Sequence, residues 1–386
     1  MKYRIELKNF NIVLVICLIT LNVIGIFSIG SVKESLQTKQ IGGMILGIFI
    51  MVLISFFDYA VFLKFSWVIY FLNIGLLAAV EFFGQSSHNA QRWLLIPGIG
   101  VKFQPSELAK ILLILFFAKF IMVHKERLNR PHIIFIMLAL AAPVVILVLK
   151  QPDLSTTIML IVIFCMLLFI GGLSRKIIFG VLAVTVPAAI IFLFLVMQPD
   201  QKIIEPYQQK RILAWVDPEK YALTDAWQMQ NSITAIGSGK LYGKGLNNNE
   251  VTSVVNGNYI SEAENDFIFA VVGEEMGFIG CSAVIALLVM IAGQCYYLGI
   301  RSRDLAGTLI CFGMGTLIGV QGFFNISVAT GIMPNTGIPL PFVSYGLTSL
   351  VSNYLGMGFV LSAGLRRKEP ERKTTEIGQI GLENNI

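Results

Sequence analysis

The chain has 386 residues, of which 55% are hydrophobic and only 13% are charged. Because soluble domains carry roughly 25% charged residues, this composition excludes an ordinary soluble protein. The formal net charge is +6, but anionic lipid head groups account for a basic excess, and the sequence contains no basic-aromatic nucleic-acid motif. We therefore expect the chain to contact a membrane and no nucleic acid.

Apolar stretches of membrane-spanning length recur along the chain and predict an all-α, polytopic membrane protein. Residues 1–365 are expected to form a single transmembrane domain, and the charged residues 366–386 a disordered cytoplasmic tail. The five cysteines lie in or beside apolar stretches without paired spacing, so they predict neither a disulfide nor a metal site. About ten transmembrane helices are predicted, near residues 11–31, 41–57, 64–83, 105–122, 132–149, 155–173, 177–197, 267–291, 306–326 and 343–364.

Lysine and arginine in the short connections predict the orientation of these helices. With a cytoplasmic N-terminus, most basic residues fall in cytoplasmic segments, and the short outer segments hold only Lys33, Lys39, Arg92, Lys102 and Lys150. The even number of helices then places both termini in the cytoplasm. Residues 198–266 become a long extracytoplasmic loop, in which alternating apolar and polar residues predict short helices on the membrane surface.

Polar residues collect at the outer ends of the predicted helices. Arg92 and Trp93 precede the fourth helix, where this pair is typical of an interfacial position or a simple aromatic anchor. Glu107 and Lys110 are three residues apart on the fourth helix, so they share a face and can pair. The pair either holds two helices together or lines a polar cavity in which Lys110 reaches a phosphate. Asp153 begins the sixth helix and could cap it or belong to the same site.

Two later segments are also candidates. Three prolines and repeated glycines at residues 331–346 exclude a regular helix. Non-helical backbone at membrane depth must be buried in protein or line a watery cavity, so a cavity-forming loop is predicted there. Residues 262–269 place Glu262, Glu264 and Asp266 directly before the eighth helix. Holding a carboxylate at a membrane surface costs free energy, so these residues are expected to have a functional role. These residues suit either an enzyme acting on a lipid head group or a transporter.

Together and in this order, the motifs resemble those of the SEDS family of shape, elongation, division and sporulation proteins (RodA, FtsW and SpoVE). The resemblance covers nearly all ten predicted helices, and the form of residues 235–239 favours the RodA-like subgroup. It is carried by Gln-Arg-Trp at 91–93, Gln-Pro-Ser-Glu-Leu-Ala-Lys at 104–110, Gln-Pro-Asp-Leu at 151–154, Ala-Ile-Gly-Ser-Gly at 235–239, Asp-Phe-Ile-Phe-Ala-Val-Val-Gly-Glu-Glu at 266–275 and Thr-Gly-Ile-Pro-Leu-Pro-Phe-Val-Ser-Tyr-Gly at 336–346.

The resemblance implies a peptidoglycan glycosyltransferase that polymerises lipid II at the outer face of the bacterial cytoplasmic membrane, for cell shape, division or sporulation. It also implies an inverting displacement of polyprenyl pyrophosphate and a class B penicillin-binding protein as partner. The alternatives are a flippase or transporter of the lipid-linked precursor and a non-catalytic scaffold. No Walker-type loop is present, so no nucleotide is expected.

Asp266 is the expected catalytic residue, either as a general base or as a ligand of Mg²⁺ or Mn²⁺. Cations near the donor would stabilise the departing pyrophosphate. The candidate substrate-binding residues are Arg92, Trp93, Glu107, Lys110, Asp153, Lys210, Arg211, Gln228, Ser232 and Ser344.

Overall fold

Long helices dominate the chain. A computed structural model describes residues 9–87, 90–95, 102–198, 201, 204, 206–222, 224, 226–246, 253, 257 and 259–366. Among these residues, each of the ten predicted transmembrane segments corresponds to one long helix. The long helices are α1 (Ile12–Val32), α2 (Glu34–Phe56), α4 (Ser66–Phe83), α5 (Pro105–Val123), α6 (Pro131–Lys150), α7 (Leu154–Gly171), α8 (Arg175–Val196), α11 (Ile268–Ile300), α12 (Leu305–Ala329) and α13 (Leu347–Leu365).

Shorter elements connect these helices. They are α3 (Tyr59–Lys64), a 3-10 turn (Lys125–Arg127), α9 (Pro206–Val216), α10 (Trp227–Ser238) and three short strands, β1 (Gln85–Ser87), β2 (Ala90–Leu95) and β3 (Lys102–Phe103). The strands form an antiparallel sheet in the order β1-β2-β3, in which Gln85 pairs with Trp93 and Leu94 with Phe103. Helices α9 and α10 are the short helices predicted within residues 198–266. The tail, residues 367–386, lies outside the described part of the chain.

The predicted fold class is confirmed. Within the described residues, eight helices are long and apolar enough to cross a membrane, by length and composition. Helices α5 and α13 are not among those eight. Glu107, Lys110 and Lys119 interrupt the apolar run of α5, yet most of its residues are buried, because α5 and α13 lie inside the bundle. Helix α8 stands at the other extreme and buries none of its apolar stretch.

Two helices differ from their predicted bounds. Helix α2 begins at Glu34 rather than near residue 41, because the polar residues before the apolar run continue the helix. A carboxylate in the first turn also interacts favourably with the helix dipole. Helix α11 extends to Ile300 and is kinked at Gly277, where the backbone has φ 65° and ψ −158°. Hydropathy averages over a window and therefore detects neither the polar first turn nor the kink.

The two ends of the bundle carry different polar clusters. At the end where α12 begins, Arg303 donates to both carboxylate oxygens of Asp58, at 3.0 and 2.7 Å. The Tyr59 hydroxyl donates to Asp304 at 2.8 Å, and Arg366 donates to the Phe56 carbonyl at 2.7 Å. This network joins the end of α2 to α12 and α13. Asp266 and the loop after α12 lie at the opposite end, 25 residues of helix away.

The turn after α10 is docked into the kink of α11. The amides of Phe278 and Ile279 donate to the carbonyls of Lys240 and Leu241, at 2.8 and 3.3 Å. In return, the amide of Lys244 donates to the Glu274 carbonyl at 2.9 Å. The turn thus supplies partners for backbone groups that the kink removes from the helix, as buried backbone requires. The segment between α8 and α11 is therefore fastened to α11.

Gly277→Ala should lower the thermal stability of the protein markedly. A side-chain carbon at this position would lie 2.3 Å from the Gly243 nitrogen, and the backbone has φ +65°. The left-handed conformation alone costs about 1–2 kcal/mol for a residue with a Cβ. A melting curve in detergent measures the change. Gly293→Ala on the same helix is the matched control: it meets no atom within 4 Å, and alanine there should be neutral or stabilising. Equal melting temperatures for the two variants would contradict the argument.

Candidate active site

Asp266 is positioned by the end of α12. The side-chain amide of Asn325 donates to the Asp266 carbonyl at 2.7 Å and to the Ile338 carbonyl at 2.8 Å. Asn325 is almost fully buried. One amide therefore holds the residue before α11 and the loop after α12 in a common position. No sequence motif predicts this role for Asn325; its only signal is an amide in the apolar run of α12, close to the proline-rich segment.

The proline-rich segment is not helical, as predicted. The Ser344 hydroxyl donates to the Asn265 carbonyl at 2.5 Å and accepts from the Leu340 amide at 2.7 Å. The Tyr345 amide donates to the Glu264 carbonyl at 2.9 Å. Ser344 is thus buried and engaged with backbone on both sides of the loop. These contacts brace the backbone that leads to Asp266.

The carboxylate of Asp266 and the guanidinium of Arg211 both lie close to Gly337, and the charge of Arg211 acts on Asp266. A side-chain carbon on Gly337 would lie 3.4 Å from Asp266 Oδ2 and 3.8 Å from Arg211 Nη1. Gly337 has φ +70°, and its amide donates to Asn335 Oδ1 at 3.1 Å. Glycine is favoured here because it adopts the left-handed backbone without strain. Helix α9, which carries Arg211, approaches Asp266 across the loop after α12.

The pKa of Asp266 is raised toward neutral pH. Removal of the carboxyl from water raises the pKa of Asp266 to about 6, and the charge of Glu262 adds to the increase. The positive charges of Arg211 and Arg92 act in the opposite direction. A carboxylate with this pKa is a better proton acceptor than an ordinary one, yet is still ionised at neutral pH.

A small cavity on one side of Gly337 is rich in charge. We call it the cationic cavity; its volume is about 40 Å³. Lys110 Nζ lies 2.9 Å from Glu107 Oε1 and 3.0 Å from Gln321 Oε1, so the predicted pair is formed and buried. The lining residues are Arg92, Gln104, Glu107, Lys110, Asp153, Thr156, Met159, Gly337, Ile338 and Pro339.

Arg92 and Asp153 shape the wall of this cavity. Arg92 Nε donates to the Gln151 carbonyl at 3.2 Å, and the same guanidinium donates to the Pro152 carbonyl. Asp153 caps α7 by accepting from the amide of Thr156 at 3.1 Å and from its hydroxyl at 2.9 Å. The helix-cap interpretation of Asp153 is therefore correct, and the same carboxylate also faces the cavity.

A second, larger cavity has Asn335 in its wall. We call it the aromatic cavity; its volume is about 330 Å³. The Gln228 side-chain amide donates to the Ser261 hydroxyl in its wall. Asn335 of this cavity accepts from the amide of Gly337, which lines the cationic cavity, so the two cavities have lining residues in direct contact. The lining residues are Arg211, Thr224, Trp227, Gln228, Tyr259, Ser261 and Asn335.

Five candidate residues line neither cavity. Asp266 and Ser344 are described above, and the other three are Trp93, Lys210 and Ser232. Trp93 lies half-buried in β2, opposite Gln85. Lys210 is exposed on α9, one position before Arg211. Ser232 is fully buried, and its hydroxyl donates to the Ala329 carbonyl at 2.7 Å. Ser232 therefore joins α10 to the end of α12, a contact that its position in a polar stretch of sequence did not reveal.

The donor groups around Asp266 do not form a cage for a metal ion. In the part of the chain that the structure describes, no group of three or more His, Cys, Asp or Glu side chains is arranged to hold one. Mg²⁺ can also be bound by one or two carboxylates together with substrate phosphates. Asp266 is the carboxylate that could take part in such a site, with Arg211 competing for the same oxygens.

Comparison with known proteins identifies relatives along almost the whole chain. Residues 5–369 match the FtsW/RodA/SpoVE family, described as cell cycle proteins. The peptidoglycan glycosyltransferase MrdB of Escherichia coli K12 is 33% identical over 367 residues, which cover 95% of each chain. These matches confirm the family that the motifs predict.

Solved structures agree with this assignment. A chain from a peptidoglycan synthase complex, in which polymerization and crosslinking are coordinated, is 26% identical, with a TM-score of 0.74 over 92% of this chain and 97% of that one. The rod shape determining protein RodA of Thermus thermophilus is 24% identical and shares the fold, with a TM-score of 0.68 over 94% of this chain and 98% of that one. The protein is thus a multi-pass membrane protein and belongs to the FtsW/RodA/SpoVE family of cell cycle proteins.

Proposed function

We propose that this protein is a peptidoglycan glycosyltransferase that polymerises lipid II into glycan strands. The observation that carries the proposal is that Asp266 lies close to Gly337 of the cationic cavity and that Arg211 of the aromatic cavity lies close to the same glycine. A base placed between a site for negative charge and a second polar site is what a transfer between two bound sugars requires. The similarity to a relative named as a peptidoglycan glycosyltransferase supports the same activity.

The proposed reaction is a single displacement. The hydroxyl oxygen of the acceptor sugar attacks the anomeric carbon of the donor, and its proton passes to the Asp266 carboxylate. The bond from the anomeric carbon to the pyrophosphate oxygen breaks, and the electron pair leaves with the polyprenyl pyrophosphate. Attack opposite the leaving group inverts the anomeric centre. Arg92 and Lys110 stabilise the charge that develops on the departing oxygen, as preorganised cations do in a poorly solvated site.

Sidedness and partner belong to the same proposal. The basic residues of the short connections support cytoplasmic termini. In that orientation Asp266 faces the outer side of the membrane. Lipid II and the crosslinking enzyme are expected on the same side. A class B penicillin-binding protein is the proposed partner, because the similar complex joins polymerization to crosslinking. The segment between α8 and α11 is a suitable contact for that partner, because its docking on the α11 kink ties it to the helix that follows Asp266.

Mg²⁺ or Mn²⁺ is a further proposal. The ion would be held by Asp266 together with the pyrophosphate oxygens of the substrate, and would supply additional stabilisation of the leaving group. The displacement described above uses side chains alone.

Purified protein in nanodiscs, together with its partner, should convert lipid II into glycan polymer. The competing function is transport of the lipid-linked precursor, for which polar groups should extend through the bundle midplane. Here Glu107 and Lys110 lie in the first turns of α5, close to the loop after α12, rather than at the middle of the helix. This position favours the transferase. Translocation of fluorescent lipid II in liposomes without any polymer would overturn the proposal.

The rate of polymerisation should fall as the pH drops through about 6. The reason is that Asp266 must be ionised to accept a proton, and its pKa is raised to about 6. Removing the nearby negative charge by Glu262→Gln should lower that pKa and move the acid limb to lower pH. Removing the positive charge by Arg211→Met should move it to higher pH. Rates measured from pH 5 to 8 give the acid limb of the parent protein and of each variant. If the limb stayed in place in both variants, or moved in the opposite directions, Asp266 would not be the base.

A further inference from the structure

The aromatic cavity presents two rings to solvent. Trp227 is 39% exposed and Tyr259 is 47% exposed, and their ring centroids are 6.3 Å apart with an angle of 54° between the planes. Both belong to the segment between α8 and α11 rather than to a spanning helix, and both line the cavity. Two rings set at an angle in a concavity can hold a flat ligand with one apolar face, and a pyranose presents such a face through its C–H bonds.

The polar groups of the cavity are mainly neutral. The side-chain amides of Gln228 and Asn335 and the hydroxyl of Ser261 lie in the wall, and Arg211 is its charged lining residue. Amides and hydroxyls can donate to and accept from sugar hydroxyls and an N-acetyl group. The volume of about 330 Å³ lies in the range of small-molecule sites.

Charge distinguishes this cavity from its neighbour. A pyrophosphate requires cations, and both Arg92 and Lys110 line the cationic cavity. The acceptor sugar reacts through a neutral hydroxyl, which must come within hydrogen-bond reach of a base. The side of the aromatic cavity that carries Arg211 is the closest to that need, because Arg211 and Asp266 Oδ2 both lie close to Gly337.

We propose that the aromatic cavity binds the acceptor sugar, an N-acetylated pyranose whose free hydroxyl is directed at Asp266, with Trp227 and Tyr259 as its stacking platform. This assignment rests on the proposed glycosyltransferase function. In the step itself, the acceptor oxygen gives its proton to Asp266 while it bonds to the anomeric carbon, and the pyrophosphate leaves from the cationic cavity. The acceptor and the donor pyrophosphate therefore bind on opposite sides of Gly337.

The test measures binding of two separate probes to full-length protein in nanodiscs. An N-acetylglucosamine tetrasaccharide has the acceptor hydroxyl and no pyrophosphate, whereas farnesyl pyrophosphate has the charge and no sugar. Trp227→Ala and Tyr259→Ala should each weaken tetrasaccharide binding about tenfold, the loss expected for an aromatic platform, and leave farnesyl pyrophosphate affinity within about twofold. Arg92→Gln should weaken binding of farnesyl pyrophosphate about tenfold and leave the tetrasaccharide affinity within about twofold. The variants Trp227→Phe and Tyr259→Phe should restore most of the affinity for the tetrasaccharide.

Tyr242→Ala is the matched control, since Tyr242 is 77% exposed in the same segment and lines neither cavity. It should leave both affinities unchanged. The inference is overturned if the parent protein does not bind the tetrasaccharide, if the alanine variants bind it normally, or if they lose both probes equally. If the alanine variants bound the tetrasaccharide normally but no longer bound the crosslinking partner, the cavity would be a protein contact instead. Failure of the parent protein to polymerise lipid II would reject the glycosyltransferase function independently of these affinities.

Discussion

Asp266→Asn should abolish polymerisation of lipid II while the protein remains folded. Asparagine has nearly the same shape but cannot accept the acceptor proton, and loss of a general base typically costs about 10²–10⁴-fold in rate. The fold should tolerate the change, because Asn325 holds the backbone carbonyl of Asp266 and not its carboxylate. Initial rates of glycan formation, measured beside a melting curve, separate the loss of chemistry from loss of structure.

Two further variants sharpen this result. Asp266→Glu keeps a carboxylate but moves it by one methylene, so a partial rate should remain. Glu262→Gln removes an exposed carboxylate from the same segment and should keep most of the activity at neutral pH. If Asp266→Asn polymerised lipid II as fast as the parent protein, both the base and the metal-ligand roles of Asp266 would be eliminated.

The second large effect is expected at the buried pair. Lys110→Met should destabilise the protein by about 3–5 kcal/mol, because it leaves Glu107 charged and buried without its partner. Both side chains are almost inaccessible to solvent, and Lys110 is also bound to Gln321 on α12. The melting temperature and the yield of folded protein report the loss. Lys119→Met on the same helix, where the lysine is partly exposed, should have a small effect.

A double variant separates the structural role of this pair from its role in the reaction. Glu107→Leu combined with Lys110→Met removes both charges and should recover most of the lost stability, because an apolar pair of similar size replaces a buried ion pair well. Polymerisation should nevertheless stay low, by a factor on the order of 10², because the cation next to the leaving group is gone. Full recovery of both stability and rate would mean that the pair only holds α5 in place.

Local sequence patterns predicted much of the site. The spacing of Glu107 and Lys110 predicts their pairing because residues three apart share one helix face. Asp153 caps α7 because a carboxylate before a helix meets free backbone amides. The prolines after α12 exclude a helix wherever the rest of the chain lies. Each of these inferences needs only neighbouring residues, and each agrees with the structure.

Other members of the site could not be found in that way. Asn325 and Gln321 look like ordinary polar residues in α12, and only the packed structure brings their amides to the carbonyls of Asp266, Ile338 and Pro339. Ser232 resembles a residue of a polar loop, but the docking of α10 buries it against α12. Their roles arise from contacts between different elements of the fold.

The order of apolar and polar segments was sufficient to predict ten long helices, the long segment after α8 and a carboxylate placed before α11, because hydropathy and helix geometry act over neighbouring residues. Tertiary packing alone decided that α11 kinks at Gly277, that Arg211 and Asp266 both lie close to Gly337, and that two cavities of different charge form on this side of the protein. The physical reason is that close packing and buried hydrogen bonds link residues distant in sequence, and no local pattern records which of them will meet.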